Sequence, residues 1–352
     1  MKYQFISRDF ENYVKYKLYN LALYKTLISE VKRAVKEDWD MYDIPERNSI
    51  SLKAKDGHMI NVYCWNKVER PIAVLQIFHG MAEHAGRYNK FANSLNNQEI
   101  AVFGDDHRGH GQTAILNGKP GVIGKDGFNK IVEDEYMITN MIKNKYPKTP
   151  VYIFAHSFGS FIGQEYITRY GSEIDGIILC GTAAQIGFEF RLAKILAFLQ
   201  MKIFGEEEKA TFLEFLSFGS YNKKINISDG SNWLSRDTEE VFKYSQDKSC
   251  GFTCSIGFYY YFIDGLLNLY KKNKLISIPK TLPVYIIAGQ EDPVGQYGSR
   301  VEKLYEIYKK TDLTDLNMKL YKDCRHELLN ELNREEVTDD VLRWIGSHLK
   351  KK

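Results

Sequence analysis

Apolar runs of strand length alternate with amphipathic stretches of helical length over much of the chain. Two early runs, 50–54 and 59–65, flank an Asp-Gly pair and predict a β-hairpin. The pattern then predicts strands at 72–78, 100–103, 151–154, 176–180, 282–288 and 316–321, and helices at 88–95, 129–145, 161–166, 297–309 and 337–349. A hairpin followed by this alternation is typical of an α/β fold, a mostly parallel central sheet with helices on both faces.

The alternation stops between residues 183 and 270, where helical spacing and many aromatic residues replace it. We interpret this stretch as a helical cap inserted after the strand at 176–180. Residues 1–45 also stand apart, because their apolar positions recur at helical spacing between Lys and Arg residues. The predicted organisation is an N-terminal helical extension (1–45), a first core segment (46–182), a helical cap (183–270) and a second core segment (271–352).

Net charge and hydropathy limit the cellular locations and the binding partners that can be expected. The net charge of +3 on 352 residues gives no case for nucleic acid. No run approaches the ~18 apolar residues of a membrane span, and the polar residues after Met1 predict no signal peptide. The five scattered cysteines do not predict a disulfide framework. We expect a cytoplasmic protein, with peripheral membrane contact through the cap or the N-terminal helix as an alternative; the sequence does not predict its oligomeric state.

A serine between small residues follows the strand at 151–154, in the order Ala155-His156-Ser157-Phe158-Gly159. A serine at a tight strand-to-helix turn is the nucleophile elbow of the α/β-hydrolase fold. The usual first residue of that pattern is Gly, and Ala155 is the next smallest choice. Taken alone, the motif also fits an ordinary serine in a helix-capping turn.

A serine hydroxyl needs a base to take its proton and an acid to orient that base. In this fold the acid and then the histidine follow the serine along the chain, each beyond the end of a strand. Asp292 follows the strand at 282–288, and His326 follows the strand at 316–321. We therefore predict a triad of Ser157, Asp292 and His326, with Glu291 as the rival acid.

The predicted oxyanion hole consists of two backbone N–H groups, those of Phe158 and Met81. Phe158 follows the nucleophile, and Met81 lies in the loop after the third strand, where Gly80 permits a close approach to the elbow. The five other histidines near these loops are interpreted as loop-bracing residues: His79, His84, His107, His110 and His156. No pair of them has zinc-type helical spacing beside a third ligand, so no metal is predicted.

Four stretches together resemble the monoacylglycerol lipase and lysophospholipase group of serine hydrolases. They are residues 79–88 (HGMAEHAGRY), 106–112 (DHRGHGQ), the elbow, and 289–292 (GQED), and the likeness covers about 46–182 and 280–350. In the cap, residues 232–237 (NWLSRD) and 250–252 (CGF) resemble the bacterial lysophospholipase-like branch. The resemblance implies an α/β-hydrolase fold, the Ser157–Asp292–His326 triad, the oxyanion hole at Met81 and Phe158, no cofactor, and single-chain lipid esters as substrates.

The cap is expected to form the acyl pocket, because it follows the strand ends where the triad gathers. The residues expected to line this pocket are Phe188, Leu192, Leu196, Phe258 and Tyr261. The alternative is that these stretches only pack the cap onto the core. If the pocket prediction holds, kcat/KM should rise with acyl chain length from acetyl to about decanoyl esters. Replacing the cap by a short linker should abolish this rise and spare the smallest esters, provided that the core still folds.

Two other readings stay open at this point. A serine aminopeptidase or small-ester hydrolase of the same fold would share the triad, and a peptidase would need an acidic cluster, for which 206–208 (Glu-Glu-Glu) is the candidate. A non-catalytic binding protein on this scaffold would usually lose a triad member, whereas this chain retains all three residue types.

Overall fold

The computed structural model describes residues 49–225 and 232–349, and the predicted extension 1–45 lies outside them. The strands of the described residues form one eight-stranded sheet in the order β1-β2-β4-β3-β5-β6-β7-β8. Their bounds are β1 Ser49–Lys53, β2 Met59–Trp65, β3 Ala73–Phe78, β4 Ile100–Asp105, β5 Val151–His156, β6 Gly176–Cys180, β7 Val284–Gly289 and β8 Leu316–Tyr321. The β1–β2 hairpin and the β2–β4 pair are antiparallel, and every other pair is parallel.

Five of the six core α-helices in the described ranges fall where the pattern predicted them, within a few residues at each end. The six are α1 Asn89–Asn96, α2 Gly111–Asn117, α3 Gly127–Lys145, α4 Phe158–Tyr170, α10 Ser299–Lys309 and α11 Arg334–His348, the cap helices α5 to α9 lying between α4 and α10. Of these, the short helix α2 was not predicted. Every residue of β3, β5, β6 and β7 is buried, which requires cover on both faces of the sheet. The predicted α/β-hydrolase architecture is confirmed.

The stretch between β6 and β7 is helical, as predicted for the cap. Its described helices are α5 Phe188–Phe204, α6 Thr211–Phe218, α7 Thr238–Gln246, α8 Ile256–Leu269 and α9 Lys272–Leu275. Helix α8 packs against α5 on one side and against the core helices α3 and α4 on the other. No helix in the described ranges is long and apolar enough to cross a membrane.

Candidate active site

Ser157 lies at the sharp turn between β5 and α4, with φ 52° and ψ −118°. A left-handed φ is costly for a residue with a side chain, and such strain is typical of a nucleophile elbow. The turn leaves little room, because a Cβ on Gly159 would lie 2.2 Å from the carbonyl oxygen of Phe78. A Cβ on Gly163 would lie 3.0 Å from the Cβ of Ala155, so the missing side chain at Gly163 accommodates Ala155.

The three predicted triad residues form one hydrogen-bonded row. His326 Nε2 lies 2.8 Å from Ser157 Oγ, and His326 Nδ1 lies 2.9 Å from Asp292 Oδ2. The other carboxylate oxygen of Asp292 accepts a hydrogen bond from the Val294 N–H at 2.8 Å. Asp292 and His326 are buried, whereas the rival acid Glu291 is exposed. A ring that donates from Nδ1 to Asp292 is left with Nε2 as the acceptor for the serine hydroxyl.

The surroundings of His326 favour its charged form. Burial by itself lowers the pKa of His326, but the Asp292 carboxylate opposes it through its charge and its hydrogen bond. With further contributions from Glu327 and Glu83, the net effect is a pKa above the ordinary value of about 6.5. The imidazolium that would form after proton transfer from Ser157 is therefore stabilised in place.

The two expected oxyanion donors both lie beside Ser157. Phe158 is the first residue of α4, and Met81 follows Gly80 in the loop after β3. A Cβ on Gly80 would lie 3.3 Å from Ser157 Cβ, so this loop approaches the elbow closely, as predicted. Within residues 49–225 and 232–349, neither the Met81 nor the Phe158 N–H donates a hydrogen bond, and both residues line the cavity at Ser157. This arrangement leaves two donors available to a substrate oxygen.

A buried ion network ties the loop after β3 (residues 79–84, the oxyanion loop) to the loop after β8 (residues 322–327, the histidine loop). Glu83 accepts hydrogen bonds from the Gly80 N–H at 2.6 Å and from Arg87 at 2.5 Å. Arg87 also binds both carboxylate oxygens of Glu327, the residue after His326, at 2.8 and 2.7 Å. Burial alone would raise the pKa of Glu83, but the Arg87 charge holds it well below the usual range. The sequence did not predict this network, because Arg87 and Glu327 are 240 positions apart.

The other histidines brace the loops, as expected. His79 Nε2 accepts a hydrogen bond from the His107 N–H at 2.9 Å, and the opposite nitrogen of His79 donates to the Gly80 carbonyl at 2.7 Å. His107 lies 3.1 Å from Glu135, and the carboxylates beside it outweigh the effect of burial and raise its pKa to about 10. Two buried groups offer metal-type ligands at close range, namely Asp105/His107/Glu135 and His84/Asp247/Cys250. Ion pairs already join members of each group.

Two cavities meet at Ser157. The larger has a volume of about 630 Å³ and a mainly apolar lining that includes Leu192, Leu196, Phe190, Phe262 and Leu266. The smaller has a volume of about 230 Å³ and is lined by more polar groups, including Glu214, Asn232, Trp233 and His326. The two share Met81, Ser157, Phe218 and Tyr259 in their linings.

Three of the five residues expected in the acyl pocket lie elsewhere. Phe188 is 68% exposed at the start of α5, and Phe258 is fully buried with its ring 4.9 Å from that of Phe158. Tyr261 contacts Glu206 through its hydroxyl at 3.5 Å. Leu192 and Leu196 do line the large cavity, because they are one helical turn apart and share a face of α5. Counting aromatic residues could not reveal which face of each helix meets the cavity.

The amino-acid sequence is similar to those of known hydrolases. A family model described as "Serine aminopeptidase, S33" matches residues 69–333. Human monoglyceride lipase is 29% identical over 312 residues, which cover 86% of this chain and 90% of the human protein. A monoacylglycerol lipase of Mycolicibacterium smegmatis is 27% identical over 86% of this chain and 98% of its own length.

Solved structures share the architecture. A thermostable carboxyl esterase from Bacillus coagulans, described in complex with glycerol, superposes with a TM-score of 0.79 at 29% identity. That match covers 86% of this chain and 98% of the esterase. The resemblance to monoacylglycerol lipases that the motifs indicated is thus confirmed over most of the sequence. Since the family model spans most of the chain and the fold agrees, the protein belongs to the "Serine aminopeptidase, S33" family of α/β-hydrolases.

Proposed function

We propose that this hydrolase, an enzyme acting on esters, cleaves single-chain lipid esters with Ser157, His326 and Asp292 as its catalytic triad. The observation that carries the proposal is the apolar cavity of about 630 Å³ that opens beside the Ser157–His326–Asp292 row. Its volume lies within the range of about 300–1,000 Å³ typical of small-ligand sites. The lipase names of the curated relatives support the same substrate class.

The geometry supports an acyl-enzyme mechanism. Ser157 Oγ attacks the ester carbonyl while His326 Nε2 takes its proton, and Asp292 stabilises the imidazolium that results. The N–H groups of Met81 and Phe158 bind the negative charge that develops on the carbonyl oxygen. His326 then donates the proton to the departing alcohol oxygen, and a water molecule, activated by the same histidine, releases the fatty acid.

The position of His326 supports a proposed assignment of the two cavities to the two halves of the ester. The departing alcohol must lie next to His326, which supplies its proton, and His326 lines the smaller cavity but not the larger one. The acyl chain therefore occupies the larger, apolar cavity, where each buried CH₂ contributes about 0.8 kcal/mol. Some of that binding free energy orients the ester for attack.

The charges of the smaller cavity favour a neutral alcohol such as glycerol. Glu83, Glu214 and Glu327 line it, and none of its described lining residues is Lys or Arg. Among the described lining residues, the phosphodiester of a lysophospholipid would meet these carboxylates and no cation, and the nearby Arg87 guanidinium is already paired with Glu83 and Glu327. Within the lipid esters, monoacylglycerols therefore fit better than lysophospholipids.

The surface of the cap supports peripheral contact with a lipid bilayer. Helices α5 and α6 expose large apolar side chains at Phe188, Leu192, Ile195, Leu199, Ile203, Phe204, Phe212, Phe215 and Leu216. Exposed apolar patches of this kind mark interaction sites. Leu192 and Leu216 also line the large cavity, so this surface adjoins the acyl site. The proposed contact brings that site to the membrane that holds the substrate; the N-terminal alternative lies outside the described residues.

The aminopeptidase alternative receives less support. The acidic run 206–208 lines neither cavity, and Glu207 forms an ion pair with the exposed Lys119. A substrate amine would belong to the acyl half, yet Glu189, the carboxylate of the large cavity, is paired with Arg300 at 2.7 Å. Glu214 lies on the leaving-group side instead.

Replacing the nucleophile tests the proposal. Ser157→Ala should fold normally, lose all esterase activity and take up no fluorophosphonate label, whereas the remote exposed Ser347→Ala should behave like the unaltered protein. In the unaltered protein, kcat/KM should rise from acetyl to about decanoyl esters, and monoacylglycerols should exceed lysophospholipids and aminoacyl amides. If Ser157→Ala still took up the label, Ser157 would be excluded as the nucleophile. Equal turnover of acetyl and decanoyl esters would exclude single-chain lipid esters as the preferred substrates. A protein that takes up no label in its unaltered form would be a binding protein.

A further inference from the structure

A strained residue, Ala82, lies next to Met81 in the oxyanion loop. Ala82 has φ 53°, a left-handed conformation that is unfavourable for a residue with a side chain. Its carbonyl oxygen accepts two hydrogen bonds from the cap, one from the Gly251 N–H at 2.9 Å and one from the Tyr244 hydroxyl at 3.2 Å. Strained conformations persist only where the surroundings hold them, and here the cap supplies the hold.

These bonds belong to a larger contact that we call the cap clamp, residues 244–251. Asp247, between the two donors, forms an ion pair with His84 of the same oxyanion loop at 2.8 Å. The ring of Tyr244 lies under the Arg87 guanidinium, 4.8 Å from its centroid. The ring is therefore fixed independently of the hydroxyl, which points to the Ala82 carbonyl.

The core holds the same loop from its other side. Glu83 accepts the Gly80 N–H at 2.6 Å, directly before the oxyanion donor Met81. On the cap side, the Ala82 carbonyl lies one residue beyond Met81. His79 also holds the Gly80 carbonyl at 2.7 Å, so core groups fix the Gly80 side of Met81 and the cap fixes its Ala82 side. Removing the cap anchor would let Ala82 relax towards an unstrained φ and turn the neighbouring Met81 N–H away from the oxyanion.

We propose that Tyr244 is a positioning residue for catalysis, holding the Met81 N–H in the oxyanion hole through the Ala82 carbonyl. The inference rests on the proposed function, in which Met81 is an oxyanion donor. It assigns the cap a role in the chemical step, beyond the binding of the acyl chain. Because Tyr244 also lines the smaller cavity, the test must separate positioning from direct contact with the alcohol.

Tyr244→Phe removes the hydroxyl and keeps the ring on Arg87. We expect kcat to fall about 5- to 10-fold with KM unchanged, by the same factor for glyceryl, ethyl and p-nitrophenyl decanoate. The affinity for a decyl trifluoromethyl ketone, whose serine adduct carries an oxyanion and no alcohol, should fall by that same factor. Tyr260→Phe is the matched control, since its partly buried cap ring lies tilted against the Phe198 ring at 6.0 Å, and it should change neither quantity.

A second variant perturbs the other bond. Gly251 has φ 66°, so Gly251→Ala is strained and displaces its N–H; it should lower kcat in the same way. An unchanged kcat in Tyr244→Phe, a change in KM alone, or a loss confined to glyceryl esters would overturn the proposal, and a loss in Gly251→Ala alone would assign the positioning role to its N–H instead. Melting curves show whether either variant is folded. If the unaltered protein hydrolysed no ester, the proposed function itself would fail, which is a separate result.

Discussion

Replacing Asp292 with Asn is expected to lower kcat about 10⁴-fold in a protein that still folds. The two oxygens of Asp292 have different partners, Oδ1 the Val294 N–H at 2.8 Å and Oδ2 the His326 Nδ1 at 2.9 Å. Because the Val294 N–H requires an acceptor, the new amide keeps its oxygen there and turns its NH₂ group towards His326. An NH₂ donor forces Nδ1 to be unprotonated, so Nε2 carries the ring proton and cannot accept the proton of Ser157.

The same substitution changes the pH dependence in a defined direction. Burial lowers the pKa of His326, and Asp292 is the main group that raises it above its usual value. Without that carboxylate the pKa falls, so the neutral ring exists at lower pH. The acid limb of kcat/KM should therefore move to lower pH, even though the plateau is about 10⁴-fold lower.

The assay is the hydrolysis of p-nitrophenyl decanoate between about pH 5 and 9. Glu291→Gln is the matched control, because Glu291 is exposed and adjacent to Asp292. The control should retain nearly full activity and an unshifted profile. A loss of less than about tenfold in Asp292→Asn, a larger loss in the control, or an acid limb that stays in place would refute the reasoning.

Three further predictions concern the core, the large cavity and the membrane. Gly163→Ala should lower the free energy of unfolding by about 1–3 kcal/mol, because its Cβ would meet neighbouring atoms at 3.0 Å. Gly346→Ala in α11, where a Cβ would have no atom within 4 Å, should raise the free energy of unfolding by up to about 1 kcal/mol. Thermal melts measure both, and equal shifts would contradict the packing argument. Leu196→Trp should fill the large cavity and move the preferred acyl chain to shorter lengths while sparing butyryl esters, as a chain-length series would show; an unshifted optimum would place the acyl chain elsewhere. Phe188→Ser combined with Ile203→Ser should weaken co-sedimentation with phosphatidylcholine vesicles without altering turnover of a dispersed short ester; undiminished vesicle binding would exclude this surface.

The sheet and the arrangement of the triad could be predicted from the sequence, because both depend on apolar runs and on the residues that directly follow them. Apolar runs marked each strand to within a few residues. Asp292 and His326 each follow a strand in the parallel part of the sheet, so the loops at the carboxyl ends of these strands were expected to meet near Ser157. The structure brings the three side chains together as the order of residues implied, and their catalytic role stays a prediction for the assays above.

Other features depend on distant pairs or on helical phase, which a single sequence does not reveal. The hydroxyl of Tyr244 meets the carbonyl of Ala82 across 162 positions, and no periodic pattern signals such a contact. The predictions for Phe188 and Phe258 were wrong because successive residues of a helix are rotated by about 100° around its axis. The position of an aromatic residue in the sequence therefore does not reveal whether its side chain faces solvent, the core or the cavity. Only the packed structure fixes that rotation.

The structure also changes the expectation that the smallest esters would survive replacement of the whole cap. Segment 232–237 of the cap accepts hydrogen bonds from the histidine loop, with the Glu327 N–H 2.8 Å from the Leu234 carbonyl. The ring of Trp233 lies 5.1 Å from that of His326. Removing residues 183–270 together would thus release the histidine loop as well as the acyl site.

These contacts define which part of the enzyme can be exchanged. In the sequence the insertion resembles a single module, but its two parts differ in their contacts with the catalytic loops. Residues 183–225 contribute α5 and α6 to the lining of the large cavity, so a graft of this part from a relative is expected to change the chain-length preference. Residues 232–251 are bonded to loops of the recipient and must remain native. A chimaera cut between the two halves should inherit the donor's selectivity, whereas one cut at the ends of the insertion should lose turnover altogether.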